Sequence, residues 1–120
     1  MKKIAVVEDN RDNRLLLRAF LSDRYEMVDY ETGPAALEGF QDSLPDLVLL
    51  DVSLPGMDGL AVLGKLRENE RTRALPVIAL TAHAMAGDRE RFLKAGFNEY
   101  VAKPIVDETV LFDAIARLLP

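Results

Sequence analysis

The sequence predicts an α/β fold, a doubly wound parallel sheet of five strands with five helices divided between its two faces. Three apolar runs, residues 4–7, 47–50 and 77–80, show no polar alternation, as strands covered on both faces require. Helix-period patterns separate these runs and follow the last of them. Strand and helix signals alternate along the chain, which implies parallel strands joined by right-handed crossovers.

The first strand is 4–7. The helix after it carries Leu15, Leu16, Ala19 and Phe20 at helical spacing, with Asn10 or Asp12 as its cap. Residues 27–30 mix polar and apolar types, as does the 99–102 segment, which fits strands near an edge or lining a site. Pro34 suits the first turn of a second helix running towards Phe40. After the third strand, 47–50, Leu60, Leu63 and Leu66 mark a third helix. After the fourth, 77–80, residues 85–95 form a helix that Gly96 ends. Beyond the fifth strand, Val110, Leu111, Ala114, Ile115, Leu118 and Leu119 place one apolar stripe on a last helix.

The 120-residue length fits one domain spanning residues 1–120. Fifteen basic residues are scattered among 20 acidic ones, for a net charge of −5. That argues against a direct nucleic-acid partner, which requires a clustered basic face. The chain has no cysteine, excluding disulfides and thiol-based metal or redox chemistry. After Met-Lys-Lys a run of only four apolar residues, 4–7, precedes Glu8 and Asp9, too short for a signal-peptide core or a membrane span. A cytoplasmic location without membrane contact is the expectation.

In open α/β sheets ligands bind beyond the carboxyl ends of the strands. Those ends deliver Glu8 and Asp9, then Asp51, Thr81, and Lys103 with Pro104. Each has an ordinary structural reading alone: Glu8 and Asp9 as helix caps, Asp51 as a cap of the loop at Pro55 and Gly56, Lys103 as a solvated charge. Together, three carboxylates in one crevice repel one another and call for a cation. Oxygen-only ligation points to Mg2+, which takes one or two carboxylates and keeps positions for phosphoryl oxygens. Calcium is disfavoured, because no EF-hand spacing is present.

Four motifs carry a resemblance: Val-Glu-Asp-Asn at 7–10, Asp-Val-Ser-Leu-Pro-Gly-Met-Asp-Gly at 51–59, Thr-Ala at 81–82 and Lys-Pro at 103–104. The chain resembles the response-regulator receiver domain over its whole length. The resemblance implies a flavodoxin-like three-layer sandwich with strand order 2-1-3-4-5. It implies that Asp51 accepts a phosphoryl group, giving a regulatory phosphoacceptor of two-component signalling rather than a turnover enzyme. Glu8, Asp9, Asp51 and the backbone carbonyl of Ser53 would hold Mg2+, while Lys103 and Thr81 assist transfer. A cis peptide between Lys103 and Pro104 is expected on the same ground.

Thr81 and Tyr100 are expected to act as a switch, with Tyr100 turned towards the last two helices by resemblance and set opposite Lys103 in sheet face by alternation. Its alternative reading is a half-buried edge aromatic. Ser53 and His83 occupy the positions that tune phosphoryl lifetime; neither is an amide or acid, so slow self-dephosphorylation is expected. His83 is the sole histidine, so the chain does not look like its own phosphohistidine donor, and the resemblance implies a histidine kinase or histidine phosphotransfer protein in that role. After Pro104 one helix remains before the sequence ends. Output is therefore expected through protein contact on the face of the fourth helix, fifth strand and fifth helix, from a monomer or weak dimer.

Other readings are a receiver module of a hybrid histidine kinase or longer regulator, a dehalogenase-type phosphatase, and a flavin carrier. The phosphatase would want a second acid where Ser53 stands. The flavin carrier would want Gly, Ser and Thr amides where Glu8 and Asp9 stand.

Overall fold

A computed structural model describes residues 1–82 and 87–119. Among these residues five strands, β1 (Lys3–Val7), β2 (Glu26–Tyr30), β3 (Leu47–Asp51), β4 (Val77–Thr81) and β5 (Glu99–Ala102), form one parallel sheet. Its order is β2-β1-β3-β4-β5, as expected. The helices are α1 (Arg11–Leu21), α2 (Gly33–Asp42), α3 (Gly59–Glu68), α4 (Asp88–Ala95) and α5 (Glu108–Leu118). The fourth helix, expected from Met85, is described from Asp88, and Met85 lies outside the described residues.

Period-two alternation along the buried strands creates two cores. Ala5, Val7, Val48, Leu50, Val77 and Ala79 face α2, α3 and α4, where Phe40, Leu63, Leu66 and Phe92 cover them. Ile4, Val6, Leu47, Leu49, Ile78 and Leu80 face α1 and α5, beneath Leu17, Leu21, Leu111 and Ile115. Each continuous apolar run thus feeds both faces, which is why it shows no alternation in sequence.

Local chemistry fixes the helix ends. The Asn10 side chain accepts from the backbone N–H of Asn13, Thr32 from Ala35 and Asp58 from Ala61, three N-terminal caps. Pro34 sits in the first turn of α2. Gly96, at φ 117°, ends α4 in a left-handed conformation that a side chain would resist. Arg67, near the end of α3, donates to the carbonyls of Gly96, Arg73 and Leu75. It thereby ties the loop between α3 and β4 to the loop between α4 and β5, at the end of the sheet remote from the strand carboxyl ends.

One helix face differs from the apolar pattern. α1 buries Leu17 and Leu21, whereas Leu15, Leu16 and Ala19 are exposed and Phe20 is half-buried. The inward positions of its first turn belong to Asn13 and Arg14, whose side chains bond to Glu8. Polar residues therefore begin the inward face, and hydrophobicity alone assigns them to water. Leu60 and Val110 likewise lie exposed at the margins of stripes whose centres are Leu63 with Leu66, and Leu111 with Ile115.

Candidate functional site

Sheet register builds the site. Val7 pairs with Leu50, so Glu8 and Asp51 follow at the same level on adjacent strands. Asp51 pairs with Leu80, and Thr81 with Ala102. The ladder then continues past the strand ends: Glu8 N–H donates to Tyr30 O at 3.0 Å, and Lys103 N–H to Thr81 O at 2.7 Å. Four chain segments far apart in sequence are held at one edge by backbone bonds alone.

The side chains converge there. Glu8 is 1% exposed, Asp51 2% and Thr81 2%, while Asp9 is exposed. One ligand atom each from Glu8, Asp9 and Asp51 lies within 4.8 Å of the others. Lys103 Nζ lies 3.0 Å from Asp51 Oδ2 and 3.3 Å from Glu8 Oε2. The other Asp51 oxygen, Oδ1, accepts from the Ser53 N–H at 2.9 Å. Both oxygens of the aspartate are thereby oriented before any ligand arrives.

Burial is the largest influence on Glu8 and raises its pKa; Asn13 pulls it down, Asp51 pushes it up, and the net direction is upward. Burial works against the Lys103 ammonium, but the bond to Asp51 and the charges of Glu8 and Asp51 outweigh it, raising its pKa. Three carboxylates, of which Glu8 and Asp51 are buried, against one ammonium leave the crevice with net negative charge. That donor set fits a hard divalent cation with oxygen preference, and Glu8, Asp9 and Asp51 are the residues that could hold it.

Gly59 supports the same point from below. A Cβ there would run into the backbone carbonyl of Asp51 and the Cα of Val52. The glycine that ends the 51–59 motif therefore lets α3 start directly against the strand end carrying Asp51. The Lys103–Pro104 peptide is cis, as expected.

A family model described as the response regulator receiver domain matches residues 4–116. The chain belongs to this family. Such domains serve two-component signalling, and the fold and acidic crevice described above are those of a receiver. Response regulator PleD of Caulobacter vibrioides is 41% identical over 117 residues, covering 97% of this chain and 26% of PleD. The receiver thus spans about a quarter of that relative. The polar-differentiation response regulator DivK of Brucella ovis is 41% identical over 105 residues, covering 87% of this chain and 85% of DivK. Among solved structures, the receiver domain of sensor histidine kinase PA1611 from Pseudomonas aeruginosa PAO1 is 35% identical, with a TM-score of 0.88. That alignment covers 98% of this chain and 97% of the other, whose active-site cleft holds a coordinated magnesium ion.

The receiver's expected site residues divide by position. Glu8, Asp9, Asp51 and Lys103 come together, Thr81 is buried one strand away, and Ser53 engages Asp51 through its backbone N–H. Tyr100 is half-buried on the face of α2, α3 and α4, its ring 6.1 Å from that of Phe92. That ring contact is with α4, and α5 packs against the opposite face of the sheet. His83 lies outside the described residues. Sequence reasoning passed over Asn13 and Arg14; their signal was two polar residues one helical turn after Asn10, on a helix otherwise rich in leucine.

Proposed function

We propose that this receiver is the phosphoacceptor of a two-component phosphorelay, with Asp51 as the residue that takes the phosphoryl group. The observation that carries the reading is the Lys103 ammonium lying between the buried carboxylates of Asp51 and Glu8. A phosphohistidine on a histidine kinase or histidine phosphotransfer protein is the donor. An Asp51 oxygen attacks phosphorus, its O–P bond forms as the N–P bond breaks, and the imidazole leaves on the donor. A carboxylate nucleophile requires no general base in this step.

The remaining groups supply electrostatics. Magnesium held by Glu8, Asp9, Asp51 and the Ser53 backbone carbonyl would supply positive charge for the equatorial phosphoryl oxygens. The magnesium in the PA1611 receiver supports that assignment. Lys103 pairs with Asp51 before transfer, and its compact ammonium suits a phosphoryl oxygen afterwards. The Thr81 hydroxyl donates to the same group, and its movement leaves room for Tyr100 to turn inward.

The product adds about −1.5 to −2 charges at the crevice, and that local change biases the face of α4, β5 and α5. On that face Glu99 pairs with Arg89 of α4 and Arg117 of α5, so the three elements are linked by charge. A downstream protein binds there, and the receiver acts as a regulatory domain, not a turnover enzyme, in the cytoplasm and as a monomer or weak dimer. No helix among the described residues is long and apolar enough to cross a membrane. The matches to PleD and to the PA1611 receiver favour a second setting for the same chemistry, a receiver module within a longer regulator or hybrid kinase.

Phosphotransfer from a labelled phosphohistidine donor tests the reading. Label is expected to reach wild type as a base-labile acyl phosphate and to be absent from Asp51→Asn. Equal labelling of both proteins would contradict it.

A further inference from the structure

The two oxygens of Glu8 have different partners. Oε2 faces Lys103 Nζ at 3.3 Å, whereas Oε1 accepts from the Asn13 Nδ2 amide at 3.1 Å and the Asn10 N–H at 3.3 Å. The Glu8 backbone is fixed separately: its carbonyl accepts from Arg14 Nη1 at 2.8 Å. Arg14 is itself held, its side chain only 13% exposed and its Nη2 paired with Glu31 after β2. With the backbone of Glu8 pinned, the direction of its carboxylate depends on the partners of its two oxygens.

We infer that Asn13 is a positioning residue for the metal carboxylate Glu8, using its side-chain amide to aim Oε2 into the crevice between Asp51 and Lys103. The inference rests on the reading of Glu8, Asp9 and Asp51 as the magnesium site. Asn13 is suited to the task by its place in the fold. Its backbone N–H is bound by the Asn10 side chain at 2.9 Å, so the first turn of α1 and the carboxylate form one unit. An amide donates to a carboxylate without adding charge, whereas a lysine there would compete with the cation. Without Asn13, Oε1 retains only the longer Asn10 bond, and Glu8 can rotate towards Lys103 with both oxygens. Residues of this kind, bonded to a metal-binding carboxylate rather than to the metal, typically set metal affinity within 10–100-fold.

Magnesium titration followed by backbone amide NMR, with apo melting temperatures recorded in parallel, tests this on wild type, Asn13→Ala and Asn13→Gln. Alanine is the better helix former, so a role confined to α1 predicts no loss of magnesium affinity from Asn13→Ala. The positioning role predicts roughly tenfold weaker binding at an unchanged or higher apo melting temperature, with Asn13→Gln recovering much of the affinity because it restores the amide. Wild-type affinity in Asn13→Ala would overturn the role of Asn13 while leaving the metal site intact. A loss that Asn13→Gln does not recover, accompanied by a lower apo melting temperature, would also overturn it. Absence of magnesium binding in wild type would overturn both this inference and the metal site beneath it.

Discussion

Lys103 and Asp51, 52 positions apart in the chain, meet with Nζ 3.0 Å from Oδ2, and the same ammonium lies 3.3 Å from Glu8 Oε2. One cation therefore separates two buried carboxylates that otherwise face each other. Lys103→Met is expected to slow phosphorylation by acetyl phosphate by roughly 10²-fold, the scale of losing one positioned charge at a developing anion. Lys103→Arg should recover little, because a planar fork does not replace a compact ammonium.

The same pair sets an alkaline stability limit. Lys103 has a raised pKa in the fold, so the folded chain holds that proton more tightly than the unfolded chain does. Its contribution to stability is complete below about pH 10.4 and disappears as pH rises through the folded value. Urea unfolding between neutral and strongly alkaline pH should show this loss in wild type. Lys103→Met should lack it.

Glu8 runs in the opposite functional sense with the same sign. Its raised pKa means that its favourable contribution is complete below about pH 4.3 and is lost as pH rises through the folded value. At neutral pH the metal-free protein therefore bears a cost at Glu8, which a cation relieves. Glu8→Gln should raise the metal-free melting temperature, because the neutral amide does not bear the burial cost of the carboxylate, and greatly reduce the further rise on adding magnesium. An undiminished magnesium-dependent rise would contradict the role of Glu8.

Gly59 and Gly64 lie in the same helix and should respond oppositely to alanine. At Gly59 the added methyl meets the backbone of Asp51 and Val52, and at Gly64 it meets nothing within 4 Å. Denaturant unfolding should show Gly59→Ala destabilised by about 1–3 kcal/mol. Gly64→Ala should be stabilised by roughly 0.5–1 kcal/mol.

Ser53 offers neither an amide nor an acid beside the phosphoacceptor, so the phosphorylated state is expected to persist. Decay of the purified phosphoprotein with magnesium present should take minutes or longer. A half-life of seconds would contradict the assignment of Ser53 and His83 as slow-lifetime positions.

Much of this was legible in the chain itself. The runs at 4–7, 47–50 and 77–80 located three strands to within a residue, because strands buried on both faces admit no polar positions. Glu8, Asp51, Thr81 and Lys103 were legible because Asp51 and Thr81 end their strands and Glu8 and Lys103 directly follow theirs. The inward face of α1 was not, because Asn13 and Arg14 turn inward to bond Glu8, and hydrophobicity cannot distinguish an inward polar residue from a solvated one. Arg67 was hidden for a related reason: most of its partners are backbone carbonyls, including that of Gly96, which leave no trace in residue type. The direction of Tyr100 needed the placement of α4, since strand alternation gives a sheet face but no helix.

The central claim is that Asp51 carries the phosphoryl group. Incubation with acetyl phosphate and magnesium, followed by intact-mass measurement, tests it on wild type and Asp51→Ala. Wild type is expected to gain the mass of one phosphoryl group, and Asp51→Ala none. A wild-type protein that gains no such mass, or an Asp51→Ala variant that gains it equally, would contradict the account.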